Sequence, residues 1–143
     1  MKKIVTSMLF LFSSYFTYAQ WLGIEIYSGG AAYSVASFSI NGKAYLGGGN
    51  PSQNQFFEYD PTTSSWTSVG PIPGGVNRAS PIGFSINGKG YIGCGSDAGQ
   101  PSTQTFYEYD PATNNWTQKA DFGGGDRHSG FYASANGKGY VIC

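Results

Sequence analysis

Carboxylates suited to acid and base work occur in this sequence as two equivalent pairs, Glu58 with Asp60 and Glu108 with Asp110. Two carboxyl groups held in different surroundings can act as the acid and the base of a hydrolytic reaction. Each Asp, however, precedes Pro, and Asp-Pro is a turn sequence in which the Asp side chain bonds the nearby backbone. Because both pairs recur in the same surroundings, we interpret them as structural groups.

His128 is the single histidine of the chain. One imidazole does not make a metal site, which usually gathers several His, Cys and acidic ligands. The sequence contains no serine-nucleophile motif, no phosphate-binding glycine pattern and no zinc-ligand spacing. We therefore predict no catalytic residue, no cofactor and no metal ion, and we expect His128 to lie in a loop that leads into a strand.

Aromatic residues recur at fixed positions: Tyr45, Tyr91 and Tyr140 at one, Trp66 and Trp116 at another. Recurring aromatics most simply pack between neighbouring structural units, where buried area and ring geometry stabilise the contact. A platform on which sugars stack is the alternative role for the same residues. We predict the packing role.

A repeat organises the chain. The pattern Ser-Ile-Asn-Gly-Lys at 39–43 recurs at 85–89 and, with Ala for Ile, at 134–138. The pattern aromatic-Glu-Tyr-Asp-Pro at 57–61 recurs at 107–111, and a Trp-Thr pair follows each copy. Segments that keep their order at a spacing of roughly 50 residues indicate one structural unit repeated along the chain.

Each copy predicts four short strands. Asn-Gly makes a tight hairpin, because both central residues of a type I′ turn have positive φ. Asp-Pro starts the next turn, and clusters rich in Gly and Pro at 70–75 and 122–125 separate the copies. A four-stranded unit repeated in this way is typical of a propeller blade. The sequence therefore predicts an all-β fold, an incomplete β-propeller of four-stranded antiparallel blades, with two blades and half of a third.

An arginine, a glycine-flanked run, a turn segment and a tryptophan carry a family resemblance. They are Arg78, Gly-Tyr-Ile-Gly at 90–93, Tyr-Asp-Pro at 109–111 and Trp116. Together they resemble the kelch repeat of the galactose oxidase-like β-propeller family, in its secreted bacterial form. In that family an Arg precedes the inner strand, a Gly-Gly pair ends the second strand, and a Tyr and a Trp lie on the third and fourth strands.

The copies depart from the family pattern in two places. Ala32 stands where the first copy would carry the Arg, whereas the third copy keeps Arg127. Cys94 and Cys143 replace the second Gly of the pair in the second and third copies. Because the cysteines hold equivalent positions on adjacent blades, we expect their Cα atoms to lie further apart than the roughly 7 Å that a disulfide allows.

The resemblance implies a rigid propeller with variable loops, which suits a secreted or cell-surface module that binds a protein or glycan ligand. The predicted ligand loop follows the second strand of copy two, and its candidate residues are Ser96, Asp97, Gln100, Ser102 and Thr103. The family also includes galactose-oxidase-like copper oxidases, which use two His, and sialic acid mutarotases. This chain has one His, so we predict a binding module rather than an enzyme. A remnant of such an enzyme, or a non-functional fragment, is the alternative.

The first nineteen residues have the pattern of a secretory signal peptide, in which Lys2 and Lys3 precede an apolar stretch that ends near Ala19. This stretch is shorter than the roughly 20 apolar residues of a membrane span. We predict cleavage after Ala19, no membrane insertion of the mature chain, and a secreted, periplasmic or outer-surface location in a bacterial cell. Lys and Arg number 8, as do Asp and Glu, and no basic cluster stands out, so nucleic acid is not a predicted partner.

These features divide the chain into a signal peptide at 1–19, an N-terminal segment at 20–32, blade one at 33–70, blade two at 71–120 and a partial blade three at 121–143. A propeller needs about four to eight blades to close. An open stack exposes strand edges and apolar faces. We therefore expect the sequence to be a fragment of a longer propeller, with self-assembly of several chains as the alternative.

Overall fold

The structure is a computed structural model, and it describes residues 26–50, 54–74, 78–96 and 101–142. The described residues form ten strands and no helix. The strands make two four-stranded sheets and one two-stranded sheet, all antiparallel. The prediction of an all-β chain with four-stranded antiparallel units is therefore confirmed for the first two units.

In every sheet the strands lie in the order in which they follow one another along the chain. The first sheet contains β1 to β4, which are Ala36–Ile40, Lys43–Gly47, Gln55–Asp60 and Ser65–Pro71. The second sheet contains β5 to β8, which are Ile82–Ile86, Lys89–Gly93, Phe106–Asp110 and Asn115–Gln118. The third sheet contains β9 and β10, which are Phe131–Ala135 and Lys138–Ile142.

An Asn-Gly hairpin joins the first two strands of every sheet. All three pairs have positive φ angles, 51° and 79° at Asn41 and Gly42, 49° and 75° at Asn87 and Gly88, and 50° and 69° at Asn136 and Gly137. Positive φ at both central residues is the signature of a type I′ turn, whose twist matches that of the paired strands. The predicted hairpins are thus confirmed, and they set the register between the strands that they join.

The first strands of the three sheets, β1, β5 and β9, lie next to one another. Equivalent backbone hydrogen bonds link the residues that precede them. Ser80 donates its N–H to the carbonyl of Ser34 at 3.1 Å, and Ser129 donates its N–H to the carbonyl of Ser80, also at 3.1 Å. Because the same bond is made twice, each sheet is related to the preceding one in a similar way.

Neighbouring sheets meet where a phenylalanine ring lies against a glycine. The ring of Phe38 on β1 covers Gly90 on β6, and the ring of Phe84 on β5 covers Gly139 on β10. A Cβ atom at Gly90 would lie 2.3 Å from the Phe38 ring, and one at Gly139 would lie 2.4 Å from the Phe84 ring. Carbon atoms pack at roughly 3.5–4.0 Å, so the missing side chain is what lets the sheets approach this closely.

Most of the buried core lies between the first and second sheets. Its members are Ala36, Phe38, Ile40, Tyr45, Phe56, Val69, Ile72, Ile92, Tyr107 and Tyr109, with Trp116 packed against them. Tyr45 and Tyr109 contact each other across this space with ring centroids 5.6 Å apart, and the rings of Phe56 and Trp116 meet edge to face at 5.4 Å. The predicted packing role is therefore confirmed for Tyr45 and Trp116.

Two of the equivalent aromatics show no ring contact with a neighbouring sheet within the described ranges. Trp66 contacts Tyr59 of its own sheet and Tyr27 of the N-terminal segment, with ring centroids 5.0 and 5.2 Å away. Tyr140 is 47% exposed. The predicted packing between units was wrong for Trp66, because the ring contacts described for it lie within its own sheet and with the N-terminal segment. No sheet that follows β10 is described, so the packing of Tyr140 stays a prediction.

Several expectations fall on residues outside the described ranges. Cys94 is fully buried, but Cys143 is not described, so the expected separation of the two cysteines stays a prediction. The same holds for the signal peptide at 1–19. Among the residues that the structure describes, no helix is long and apolar enough to cross a membrane.

Replacement of Gly90 by alanine is predicted to destabilise the chain. The φ angle of Gly90 lies outside the left-handed region, so the effect comes from the contact of the new Cβ with Phe38. Overpacking of this kind lowers the free energy of unfolding by about 1–3 kcal/mol. Urea denaturation of the variant and the wild type measures this difference. Gly123→Ala is the matched control, since nothing lies within 4 Å of its Cβ position. A loss at Gly123 as large as that at Gly90 would contradict this prediction.

Candidate ligand site

The predicted ligand loop leaves the second sheet after the end of β6. Ser96 pairs through β-bridges with Ala79 on one side and with Ser102 on the other. The two ends of the loop therefore lie side by side. Asp97 and Gln100, at the centre of the loop, lie outside the described residues, so their place in the site stays a prediction.

The base of the loop is also bonded to the segment that leads into the third sheet. Thr103 forms a β-bridge with Arg127 and donates its N–H to the carbonyl of Gly95 at 2.9 Å. Gly95 donates its own N–H to the carbonyl of Arg127 at 2.7 Å. Three segments that are distant in sequence thus meet at one end of the second sheet, which we call the loop end.

A serine and the single histidine meet at the loop end. Ser102 Oγ and His128 Nδ1 are 2.6 Å apart, a hydrogen bond whose direction depends on the histidine tautomer. His128 is exposed and lies in the connection between β8 and β9, which confirms its predicted place in a loop before a strand. The pair presents a hydroxyl and an imidazole side by side at the surface.

A hydroxyl bonded to an imidazole is also the first half of a nucleophile–base pair. In such a pair a third group orients the base. Among the described residues, no carboxylate forms a hydrogen bond with Nε2 of His128. Nor do three or more His, Cys, Asp or Glu side chains come together in the described part of the chain in a way that could hold a metal ion.

Arg78 supports the loop end from inside the fold. Its side chain is 1% exposed, and it donates from Nη1 to the carbonyl of Cys94 at 2.6 Å and from Nη2 to Thr105 Oγ1 at 2.5 Å. The guanidinium lies 5.4 Å from the centroid of the Tyr107 ring. Burial lowers the pKa of Arg78 below its ordinary value, but an arginine stays charged. The side chain therefore joins the segment before β5 to the end of β6 and the start of β7, a role that its motif in the sequence did not predict.

A cleft of about 520 Å³ lies at the opposite end of the first two sheets, beside the Asn-Gly hairpins. Its polar lining includes Lys43, Tyr45, Glu58, Lys89 and Asp110. Lys43 Nζ lies 2.6 Å from Glu58 Oε1, and Tyr45 donates its hydroxyl to Glu58 Oε2 at 2.6 Å. Both oxygens of the Glu58 carboxylate are therefore bonded within the first sheet.

The second sheet repeats this network with its own residues. Lys89 pairs with Asp110, and Tyr91 donates its hydroxyl to Glu108 at 2.6 Å. Lys119 Nζ lies 3.4 Å from the same carboxylate oxygen of Glu108. The carboxylates are bonded to neighbouring strands in both sheets, which supports the interpretation of them as structural groups.

The aspartates also hold the turns that they begin, as predicted. Asp60 Oδ1 accepts hydrogen bonds from the N–H and the hydroxyl of Thr62, at 2.8 and 2.6 Å, and Asp110 Oδ1 accepts one from the N–H of Ala112 at 3.0 Å. The Thr62 bonds, followed by the bond from Lys43, lower the pKa of Asp60 to about 2. The lysine partners of these carboxylates were not predicted from the sequence. The signal that could have shown them is that Asn-Gly-Lys and Glu-x-Asp recur together.

Comparison with known proteins places the chain by its fold. No protein-family profile and no curated protein match it. A solved structure of YjhT is similar, with a TM-score of 0.67 and 22% sequence identity. The match covers 77% of this chain and 33% of the YjhT chain, so the chain spans about a third of the length of that structure. The likeness shows a shared fold.

Stability at alkaline pH is predicted to depend on Tyr91. Burial, followed by the hydrogen bond to Glu108, raises the pKa of Tyr91 from its ordinary value of 10 to about 12. The fold favours the neutral phenol, so its contribution is fully present below about pH 10 and is lost as the pH rises toward about 12. The free energy of unfolding, from urea denaturation, should fall over this interval, and it should fall less in Tyr91→Phe than in the wild type.

Tyr33→Phe is the control for this measurement, because Tyr33 is 64% exposed. We expect this variant to follow the wild-type pH dependence. Parallel curves for the wild type and Tyr91→Phe would show that the phenol of Tyr91 does not contribute as described.

Proposed function

We propose that the chain is a secreted or cell-surface binding module built from kelch-type β-propeller blades. Its ligand is a polar glycan or protein, bound at the loop end between the second and third sheets. The module acts by recognition, without a catalytic step, a cofactor or a metal ion. The observation that carries the proposal is the position of Ser102 and His128 on a loop base that backbone bonds hold in place.

The arrangement of the sheets supports the propeller part of the proposal. Two four-stranded sheets and a two-stranded sheet follow one another with their first strands adjacent, as blades do around a propeller axis. The shared fold with the structure of YjhT agrees with this interpretation. On this basis the three sheets correspond to the blades that the sequence predicts at 33–70, 71–120 and 121–143.

The construction of the loop end supports the ligand-site part. Loops on a rigid scaffold are the usual place for recognition, because the scaffold fixes the groups that contact the ligand. Here the scaffold consists of the β-bridges at Ser96 and Thr103 and of the buried guanidinium of Arg78, which forms two hydrogen bonds. A hydroxyl both donates and accepts, and an imidazole does so according to its tautomer. Such groups suit the hydroxyls of a sugar or the polar side chains of a protein.

The cleft at the hairpin end has room for more than one side chain. It is nevertheless less suited to a ligand, because its charged groups already have partners. Its lysines and carboxylates are bonded to one another, as in the contacts of Lys43 with Glu58 and of Lys89 with Asp110. A charged ligand would have to replace these ion pairs.

The proposal that the module works outside the cell rests on the N-terminal sequence pattern.

A glycan array probed with the labelled chain tests the proposed function. We expect a subset of glycans to retain the wild type, and we expect the double variant Ser102→Ala, His128→Ala to bind them about tenfold more weakly, since two hydrogen bonds to the ligand are removed. Titration calorimetry with a retained glycan gives the dissociation constants. Thr117→Ala, which removes an exposed hydroxyl from β8, should leave the affinity unchanged.

One outcome would narrow the proposal to a protein ligand, and another would contradict it. A blank array with folded protein removes glycans as the ligand class, and the same variants are then compared on an array of extracellular proteins. Equal affinity of the wild type and the double variant for a retained ligand shows that the loop end is not the binding site.

A further inference from the structure

A row of polar side chains connects the buried guanidinium of Arg78 with the base of the loop. Arg78 Nη2 donates to Thr105 Oγ1 at 2.5 Å, and Thr105 Oγ1 lies 3.1 Å from Thr103 Oγ1. Thr105 also donates its N–H to Thr103 Oγ1 at 3.2 Å. Both threonines are half-buried, and Thr103 is one of the candidate ligand residues. The bonds therefore lead from the interior of the fold to the proposed ligand site.

The direction of the first bond is fixed by the chemistry of arginine. A guanidinium carries N–H donors and no acceptor, so Thr105 Oγ1 accepts from it. The side chain of Arg78 is buried, and within the described ranges no carboxylate forms an ion pair with it. A hydroxyl that accepts from a charge in such surroundings is polarised and becomes a stronger donor. Thr105 is therefore prepared to donate its own proton.

The acceptor for this proton is Thr103. In the part of the chain that the structure describes, Thr105 Oγ1 forms hydrogen bonds with Arg78 and Thr103 and with no other group. If Thr103 donated to Thr105 instead, the Thr105 oxygen would accept two bonds and its proton would have no partner there. Leaving a half-buried donor unpaired is costly. The bond therefore runs from Thr105 to Thr103.

Thr103 Oγ1 consequently accepts two hydrogen bonds, one from the N–H of Thr105 and one from its hydroxyl. A hydroxyl oxygen has two acceptor positions, so both are filled. The proton of Thr103 has no acceptor among the described residues. Toward a ligand, the hydroxyl of Thr103 therefore acts as a donor and not as an acceptor.

The neighbouring serine is not constrained in this way. Ser102 Oγ and His128 Nδ1 share a hydrogen bond whose direction follows the histidine tautomer. The hydroxyl and the imidazole can therefore exchange the roles of donor and acceptor to suit a ligand. Thr103 differs from them because a buried charge sets its direction from within the fold.

We propose that Thr103 selects an acceptor oxygen of the ligand, and that Arg78 and Thr105 are positioning residues that fix Thr103 as a donor. A hydroxyl, carbonyl or ether oxygen of the ligand can lie opposite Thr103. A ligand ammonium group is rejected there, because it would meet a proton in place of a lone pair. The inference rests on the proposed function, since it assigns one hydrogen bond of the ligand that binds at the loop end.

Neutron diffraction from crystals of the full chain, exchanged into heavy water, tests the direction of the bonds without a ligand. We expect the hydroxyl deuterium of Thr105 to lie between its oxygen and Thr103 Oγ1. The hydroxyl deuterium of Thr103 should point away from Thr105. A deuterium of Thr103 that lies on the line to Thr105 Oγ1 would overturn the proposal.

The affinity for a glycan that the array retains tests the contact with the ligand. Thr103→Val has nearly the shape of threonine but no hydroxyl. It should bind about tenfold more weakly in titration calorimetry, since one hydrogen bond to the ligand is lost. Thr103→Ser restores the hydroxyl and should bind as the wild type does. Thr117→Val is the matched control, because it makes the same change at an exposed position of β8, and it should leave the affinity unchanged.

Derivatives of the same glycan, each with one hydroxyl replaced by an ammonium group, test the positioning role of Thr105. The derivative altered at the contact with Thr103 should bind the wild type about tenfold more weakly than the parent glycan. In Thr105→Val, Thr103 regains an acceptor position, so this difference should shrink. Thr105→Ser keeps the hydroxyl and should keep the difference. A loss of stability alone would not change this preference between two ligands.

Equal affinity of the wild type and Thr103→Val for a retained glycan overturns the proposal, because Thr103 would then make no contact with the ligand. An unchanged preference in Thr105→Val overturns the positioning role. If the array is blank, glycans are removed as the ligand class, and the deuterium positions alone decide whether Thr103 is a donor. A failure of the proposed function is thus distinguished from a failure of this inference.

Discussion

The contact on which the rest of the structure depends is a phenylalanine ring packed on a glycine of the next sheet. Phe38 covers Gly90, and Phe84 covers Gly139. Because the glycine has no side chain, the sheets approach closely enough for backbone bonds to link the segments before their first strands and for Tyr109 to reach the preceding sheet. One contact, made twice, sets the spacing of consecutive sheets and so decides which residues meet at either end of them.

The two ends of the sheets differ in what they leave available. At the hairpin end of the first two sheets, cross-strand register brings Lys43 and Lys89 to carboxylates of the same sheet, as for Lys89 and Asp110. At the loop end, Arg78 and the backbone bridges hold a base on which the half-buried Ser102 is bonded to the exposed His128. The same strands therefore carry an ionic network at one end and a hydrogen-bonded serine and histidine at the other.

Local signals account for what could be predicted from the sequence. The hairpins followed from Asn-Gly, and the strands followed from the repeated order of the turns. Contacts between distant segments could not be predicted in this way, because Ser102 and His128 are 26 residues apart and meet only when the third sheet is in place. The packing assigned to Trp66 was wrong for a related reason, since Tyr27 lies against it where a preceding sheet would have to be.

A double-mutant cycle between Phe38 and Gly90 tests the central claim most directly. The free energy of unfolding would be measured for Phe38→Leu, for Gly90→Ala and for the two changes together. If the ring and the glycine hold the sheets at their spacing, the shorter leucine relieves part of the strain of the added methyl group, and the coupling energy should be about 1 kcal/mol or more. Effects that add within about 0.3 kcal/mol would contradict the claim and would mean that something other than this contact sets the distance between the sheets.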